Sequence, residues 1–286
     1  MTRRILIVAH PSRRTMRGAL QTALDTLTAL GTEPVTEYVH GESDPVEAAL
    51  VLGGDGTMLH AVAVTHGGEI PLLGVNLGRV GFLAEAEADD VKAAAEALAR
   101  RAYTIEVRRT LELTVTFPDG TTQDAWALNE AAVERAIPHR TLEVEVEVDG
   151  SPLSAFGCDG VIVATATGST AHAFSAGGPV IWPNVDALLF VPLAAHALFS
   201  RPLVVGPDST FGVLIAPTSS TPGTVVCDGA RIIDVPLGAR ILFRRSEHTV
   251  RLARLDDETF TQRLTTKFSL PTKGWRRDLD SGLAEE

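Results

Sequence analysis

The chain has 286 residues, 45% of them hydrophobic and 21% charged, which is enough for about two globular domains and too hydrophobic for a disordered protein. Its net charge of −11, from 25 basic and 36 acidic residues, argues against broad binding to nucleic acid or to an anionic membrane. The longest apolar stretch, residues 187–199, is interrupted by proline and histidine and is too short to span a bilayer.

Cysteine and lysine usage narrows the class of protein further. Cys158 and Cys227 are too few for a disulfide scaffold and too far apart for a CxxC motif, although one disulfide between them stays open. The N-terminal apolar run is too short for a signal-peptide core, so we expect a cytoplasmic protein. None of the lysines follows a glycine-rich loop, which excludes a GxxxxGK[ST] phosphate loop.

The first hundred residues alternate between two kinds of pattern. Short apolar runs predict strands at 5–9, 48–52 and 71–75. Helical spacing or composition predicts helices at 15–30, 57–66 and 89–101. Alternation of strands with helices is typical of a parallel α/β sheet.

From about Tyr103 onward the pattern changes to that of a β protein. The run Leu142–Val148 alternates apolar residues with glutamates and ends at an Asp-Gly turn, as a half-exposed strand does. Further strands are predicted at 161–164, 204–205, 211–215, 224–227, 241–243 and 249–252. We therefore expect an α/β domain at 1–103 and an all-β domain at 104–259, with the tail 260–286 returning to the first domain.

The segment GGDGT, residues Gly53–Thr57, lies where a buried strand is predicted to end and a helix to begin. Glycines let the backbone approach a phosphate, and a helix start offers free N–H groups. Asp55 would repel a phosphate, so it fits a group that takes a proton from a substrate hydroxyl or helps to hold a metal. The alternative is a glycine-rich turn in which Asp55 or Thr57 caps the helix.

Two further segments are candidates for a binding site. The stretch 159–179 is dense in glycine, serine and threonine, which suits a pocket lined by hydrogen-bonding groups or a long surface loop. The pair Asn129-Glu130 lies inside an apolar run and indicates either a buried polar site or a strand end that faces water.

Taken together, these segments resemble the NAD kinases, most closely the actinobacterial members. The resemblance is carried by GGDGT (53–57), GVNLGRVGFLAE (74–85), ALNE (127–130) and DGVIVATATGSTAHAFSAGGP (159–179), and it covers nearly the whole chain. It implies a parallel α/β N-terminal domain with an all-β C-terminal domain, the two-domain fold shared with diacylglycerol kinases. It also implies transfer of phosphate from ATP to the 2′-hydroxyl of the adenosine ribose of NAD⁺.

The resemblance assigns roles to individual residues. Asp55 matches the general base, and Gly53, Gly54, Gly56 and Thr57 complete the phosphate loop. The residues that match NAD contacts are Asp55, Gly56, His60, Asn129, Glu130, Arg140, Asp159, Thr170, Ala171, His172, Ala173, Phe174 and Ser175. A divalent cation, Mg²⁺ in most kinases, is expected as cofactor with no ligands assigned, and polyphosphate stays open as a second donor. The family also implies a homodimer or homotetramer.

Two alternatives remain at this stage. A lipid kinase of the diacylglycerol or sphingosine type shares the GGDGT loop, but it should lack the Asn-Glu pair followed by the TGSTA segment. A nucleotide-binding sensor without catalysis is the other, and retention of Asp55 argues against it. The chain departs from the usual TPTGSTAY pattern at Ala166 and His172, which bears on affinity for the nucleotide rather than on the base.

Overall fold

The computed structural model describes residues 2–9, 14–41, 44–77, 81–84, 86–255 and 258–272. The chain forms two compact units, one containing residues up to Glu106 and from Arg251 onward, the other containing Val107–Val250. The part of the predicted tail beyond residue 272 lies outside the described residues. Among the helices that the structure describes, none is long and apolar enough to cross a membrane.

The first unit is a parallel sheet with helices. Its elements in chain order are β1 (Arg4–Ala9), α1 (Arg14–Ala29), β2 (Glu33–Val35), β3 (Ala48–Leu52), α2 (Asp55–Thr65), β4 (Leu72–Asn76), β5 (Ala86–Glu87), a 3₁₀ turn (Ala88–Asp90), α3 (Val91–Arg100) and, near the C-terminus, α5 (Phe260–Phe268). The strands lie in the order β2-β1-β3-β4, all parallel, and β5 pairs with β4.

Burial explains why these segments form a sheet with helices against it. All five residues of β3 and of β4 are buried, as expected for central parallel strands. Leu27 of α1 and Leu98 of α3 are fully buried in the same apolar cluster as Leu50. The predicted strands and helices of this unit are confirmed with shifted ends. Helix α2 begins two residues earlier than predicted, because Gly54 takes the N-cap position.

The second unit contains two antiparallel sheets. Its elements are β6 (Thr104–Thr116), β7 (Thr122–Ala127), β8 (Glu130–Arg135), β9 (Leu142–Val148), β10 (Ser151–Cys158), β11 (Gly160–Thr165), a 3₁₀ turn (Gly168–Thr170), α4 (His172–Ser175), β12 (Leu188–Leu193), β13 (Leu203–Val205), β14 (Phe211–Ile215), β15 (Gly223–Cys227), β16 (Arg231–Val235) and β17 (Arg240–Arg254). Strands β6 and β17 each have one end in the first unit.

One sheet of the second unit has the order β13-β12-β11-β8-β15-β16, so β8 and β11 are central. The other contains β10-β9-β14-β17, with β6 paired to β17 and to β7. Apolar residues of both sheets form a common core that includes Val144 and Val163. The predicted alternation of β9 is confirmed, since Leu142, Val144 and Val146 are at most 1% exposed.

The prediction of two separate strands at 241–243 and 249–252 was wrong. These residues belong to the single strand β17, which continues through the polar run between them. Ser246 in the middle of that run is only 1% exposed, so the strand stays packed where its sequence looks like a turn. A run of polar residues marks a loop only when it faces water, and that depends on the fold.

Candidate functional site

The glycine-rich turn between β3 and α2 can be formed only with glycine at position 53. Gly53 has φ +154°, and a Cβ there would lie 2.2 Å from Thr57 Oγ1. The Gly53 N–H donates to Val75 O at 2.9 Å, which ties the turn to β4. The turn thus connects the buried strand β3 directly to helix α2, whose first turn is partly exposed.

Asp55 is the first residue of α2, and its carboxylate is held by a segment 27 residues further along the chain. The Phe82 N–H lies 3.1 Å from each carboxylate oxygen, and the Leu83 N–H lies 3.1 Å from Oδ1. A Cβ on Gly81 would lie 2.2 Å from Asp55 Oδ1, so the carboxylate packs directly against that glycine. The alternative that Asp55 or Thr57 caps the helix is wrong, because Gly54 is the N-cap.

The neighbours of Asp55 in α2 differ in exposure. Gly56 and His60 are exposed and Gly54 is half-buried, whereas Thr57 packs beneath the turn and is 7% exposed. The first N–H groups of a helix have no partner within it and attract anions. The exposed side of this turn is therefore able to meet a phosphorylated ligand beside a carboxylate.

In the second unit, Glu130 begins β8 and Asn129 directly precedes it, and each is only 7% exposed. The alternative that they form a strand end facing water is therefore wrong. Asp228, whose side chain is 2% exposed, accepts hydrogen bonds from the Leu128 N–H at 2.9 Å and the Asn129 N–H at 2.7 Å. The backbone that carries the Asn-Glu pair is thus fixed by a buried carboxylate.

A cation balances that buried carboxylate. Arg231 Nη2 donates to Asp228 Oδ2 and to Trp126 O, both at 2.8 Å. The same guanidinium lies 4.0 Å from the centroid of the Trp126 ring. In the sequence, Asp228-Gly229 served only as further support for the family resemblance, and no site role was assigned to Asp228 or Arg231, because both lie about a hundred residues beyond the pair that they support. In the structure this dipeptide forms a turn with φ +50° and +68°.

Glu130 is a buried carboxylate of the second unit with one oxygen left without a partner. Its Oε2 atom is buried and has no hydrogen-bond partner. Burial, and next the Asp228 carboxylate, raise the pKa of Glu130 to about 7, and a hydrogen bond from the His172 backbone N–H acts in the opposite direction. The site therefore offers one buried oxygen that a ligand could still engage.

The glycine-, serine- and threonine-rich stretch is packed, and not a surface loop, between Thr165 and Ser169, whereas most of residues 172–177 are exposed. Thr165, Thr167 and Ser169 are 3%, 8% and 0% exposed. Thr165 Oγ1 donates to Leu128 O at 2.6 Å, and a Cβ on Gly168 would lie 2.0 Å from Asn129 O. The stretch thus packs tightly against the Asn129-Glu130 segment, and Thr165–Thr167 line a small pocket with Arg109 and Arg245.

The remaining predicted residues occupy different surroundings. Thr170 and Ala171 are half-buried; in the short helix α4, Ala173 is buried, whereas His172, Phe174 and Ser175 are exposed. Asp159 forms an ion pair with Arg135. Arg140 is exposed in the loop after β8. The structure thus places Thr170–Ser175 beside Glu130, through the His172 N–H, whereas Asp159 and Arg140 lie towards the other end of β8.

The side chains that could bind a divalent cation bear on the expected Mg²⁺ cofactor. The described residues contain no group of three or more His, Cys, Asp or Glu side chains that could hold a metal ion. Mg²⁺ in phosphate-transferring enzymes keeps several waters and binds through one or two carboxylates together with the substrate phosphates.

A parallel α/β unit with a GGDGT turn and an antiparallel unit with a buried Asn-Glu pair define the class of two-domain small-molecule kinases. The chain matches the ATP-NAD kinase N-terminal domain at residues 6–103 and the ATP-NAD kinase C-terminal domain at residues 128–255. It therefore belongs to the ATP-NAD kinase family. The fold and the enzyme class that the sequence predicted are confirmed.

Relatives and solved structures agree with this assignment. An NAD kinase of Leifsonia xyli is 48% identical over 96% of this chain and 97% of its own length. NAD kinase 2 of Streptomyces coelicolor is 52% identical over 82% and 77%. An Archaeoglobus fulgidus NAD kinase in complex with ATP superposes with a TM-score of 0.75 at 28% identity, covering 94% of this chain and all of that one. Yeast NADH kinase complexed with NADH has a TM-score of 0.84 at 20% identity, covering 96% and 89%, and shows the fold alone.

Proposed function

We propose that the protein phosphorylates NAD⁺ at the 2′-hydroxyl of its adenosine ribose, using ATP, to give NADP⁺ and ADP. The observation that carries the proposal is the Asp55 carboxylate, held by two backbone N–H groups at the start of α2 beside a turn open to a phosphate. In the reaction, the ribose oxygen forms a bond to the γ-phosphorus and its proton passes to Asp55. The bond from the γ-phosphorus to the bridging oxygen breaks, and ADP leaves.

A site for phosphoryl transfer has to position the reacting groups and stabilise negative charge. Phosphoryl transfer is catalysed largely by holding the nucleophile and the phosphate in line and stabilising the charge that develops. The backbone N–H groups of Gly54 and Gly56 at the helix start would bind phosphate oxygens, as helix N-termini do. Asp55 then serves as the general base, a role worth about 10²–10⁴-fold in rate.

The second unit supplies the contacts to NAD⁺ in this proposal. The buried Glu130 oxygen without a partner would accept a hydrogen bond from the nucleotide, which supports the assignment because a buried acceptor left unpaired costs about 1–3 kcal/mol. Asn129 and the segment Thr170–Ser175 lie against Glu130 and would complete that part of the site. His60, Arg140 and Asp159 are proposed as further contacts from the family resemblance.

The other components of the proposal rest on fewer observations. ATP as donor is supported by the Archaeoglobus relative, whose structure is a complex with ATP. A divalent cation, Mg²⁺ by preference, would enter bound to the ATP phosphates. The free, buried thiols of Cys158 and Cys227 are consistent with a cytoplasmic location. A homodimer or homotetramer is proposed, since Val204 and Ile232 of the second unit are 50% and 65% exposed.

The test of the proposal is an assay of phosphate transfer from radiolabelled ATP to NAD⁺ and, in parallel, to diacylglycerol in mixed micelles. Labelled NADP⁺ with no labelled lipid is the expected result. Labelled phosphatidic acid would identify the lipid kinase instead. Transfer to neither acceptor, with ATP and NAD⁺ still binding, would leave the non-catalytic sensor.

A further inference from the structure

The two backbone N–H groups that hold Asp55 come from a short segment with its own supports. Phe82 and Leu83 are 8% and 3% exposed, so both side chains are anchored inside the first unit. The carboxylate contacts the N–H groups of these residues and lies against Gly81. A shift of this segment would therefore move the Asp55 carboxylate.

The Phe82 ring is packed against the C-terminal helix α5. Its centroid lies 6.0 Å from that of Phe260 and 5.9 Å from that of Phe268, and the Lys267 ammonium lies 5.9 Å from the Phe82 ring. These distances are typical of aromatic pairs and of cation–π contacts. Residues about 180 positions further along the chain thus enclose one of the two residues that hold Asp55.

Helix α5 is delimited by strong local signals of its own. The Thr259 hydroxyl accepts from the Gln262 N–H and the Gln262 side chain accepts from the Thr259 N–H, which is a capping box. The helix ends at Phe268 and is followed by the C-cap residue Ser269, which adopts φ +50°. Capping at both ends makes α5 a defined helix and a firm support for Phe82.

Leu83 is also held by a residue from the C-terminal part of the first unit. Its carbonyl oxygen accepts a hydrogen bond from Arg254 Nη1 at 3.3 Å. The Arg254 guanidinium is 6% exposed and donates through Nε to Glu106 Oε2 at 2.6 Å. Both residues whose amides hold Asp55 are therefore braced by residues that follow position 250.

We propose that the C-terminal part of the first unit, helix α5 with Arg254, positions the catalytic carboxylate by clamping residues 82 and 83. Phe268 and Arg254 are positioning residues in this scheme, because they act through backbone amides and not on the substrate. The inference rests on the proposed function in one respect, that Asp55 is the general base. It assigns to Arg254 and helix α5 a role in the rate of the reaction.

The clamp acts on the transition state rather than on binding. Misplacing a catalytic group by about 1 Å costs up to about 10²-fold in rate. Removing one of the aromatic contacts that Phe82 makes with α5 should shift the segment by less than that, so we expect kcat to fall about tenfold. The KM values for NAD⁺ and ATP should change less than about twofold, since the loss is confined to the transition state.

The experiment compares Phe268→Ala with a matched control, Leu270→Ala, which removes an exposed apolar side chain just beyond the same helix. Both enzymes are assayed at saturating substrates well below their melting temperatures, with circular dichroism confirming that they are folded. Phe268→Tyr keeps the ring and should restore most of kcat. If Phe268→Ala does not fold, Phe268→Leu replaces it, with the expected loss reduced to about threefold.

A double-mutant cycle separates this proposal from the proposed function. In an Asp55→Asn background there is no base to position, so Phe268→Ala should have almost no further effect on kcat. An equal loss in both backgrounds, an unchanged kcat in Phe268→Ala, or an increase in KM alone would each overturn the positioning role. A near-wild-type kcat for Asp55→Asn by itself would instead refute the base.

Discussion

The assignment of Asp55 as general base predicts a specific outcome for Asp55→Asn. The carboxylate makes three N–H contacts of 3.1 Å, two of them at Oδ1 and one at Oδ2. An asparagine oxygen in place of Oδ1 keeps the contacts to both Phe82 and Leu83. The amide group then faces one arm of the bifurcated bond from Phe82, so the expected loss of stability is about 1 kcal/mol.

The expected loss of activity is much larger than that. Removing a general base lowers kcat by about 10²–10⁴-fold, which corresponds to about 3–5 kcal/mol in the activation barrier. Because a fold that loses about 1 kcal/mol stays almost fully populated, unfolding could not imitate this effect. The KM for NAD⁺ should change far less than kcat.

The assay measures kcat at saturating ATP and NAD⁺ across a Mg²⁺ titration, with urea unfolding on the same preparations. Asp25→Asn is a matched control, since Asp25 is an exposed carboxylate on α1 of the same unit. A kcat within about threefold of the wild type would refute the base and leave Asp55 a purely structural anchor for residues 82 and 83. A deficit that shrinks as Mg²⁺ rises would assign Asp55 to the cation instead.

Three further outcomes are expected. Gly81→Ala places a Cβ 2.2 Å from Asp55 Oδ1, so kcat should fall at least about tenfold, whereas Gly18→Ala, with nothing within 4 Å, should not change it; equal kcat values would contradict the packing. Burial and a neighbouring carboxylate raise the pKa of Glu130 to about 7, so its contribution to stability is complete below about pH 4.5 and is lost as the pH rises to 7. The free energy of unfolding in urea should therefore fall by on the order of 2 kcal/mol between about pH 5 and about pH 7.5 in the wild type, and Glu130→Gln should abolish that fall. An equal fall in both proteins would count against this role of Glu130. Two arginines lower the pKa of Glu47 to about 2. The wild type should therefore be more stable to unfolding than Glu47→Gln by about 1–2 kcal/mol above about pH 4.5, after allowance for solvent screening, and this difference should vanish towards about pH 2. A stability difference independent of pH would refute the ion pairs as its source.

Local patterns in the sequence determined much of the fold. The apolar run of β3 predicts a buried parallel strand, and the alternation of β9 predicts a half-exposed antiparallel one, because each pattern reports how many faces of a strand are covered. The GGDGT segment predicts the strand–helix turn, since only glycine tolerates the contact that Thr57 makes with position 53. These features depend on residues within a few positions of each other.

Only the tertiary structure decided how the candidate site is supported. Asp55 meets the amides of Phe82 and Leu83, Asp228 meets those of Leu128 and Asn129, and both carboxylates lie far along the chain from their partners. A hydrogen bond between a side chain and a distant backbone N–H leaves no mark in composition or periodicity, because any residue can supply that N–H. The sequence by itself therefore determined most of the elements and named the candidate residues, and the tertiary structure decided what holds those residues in place.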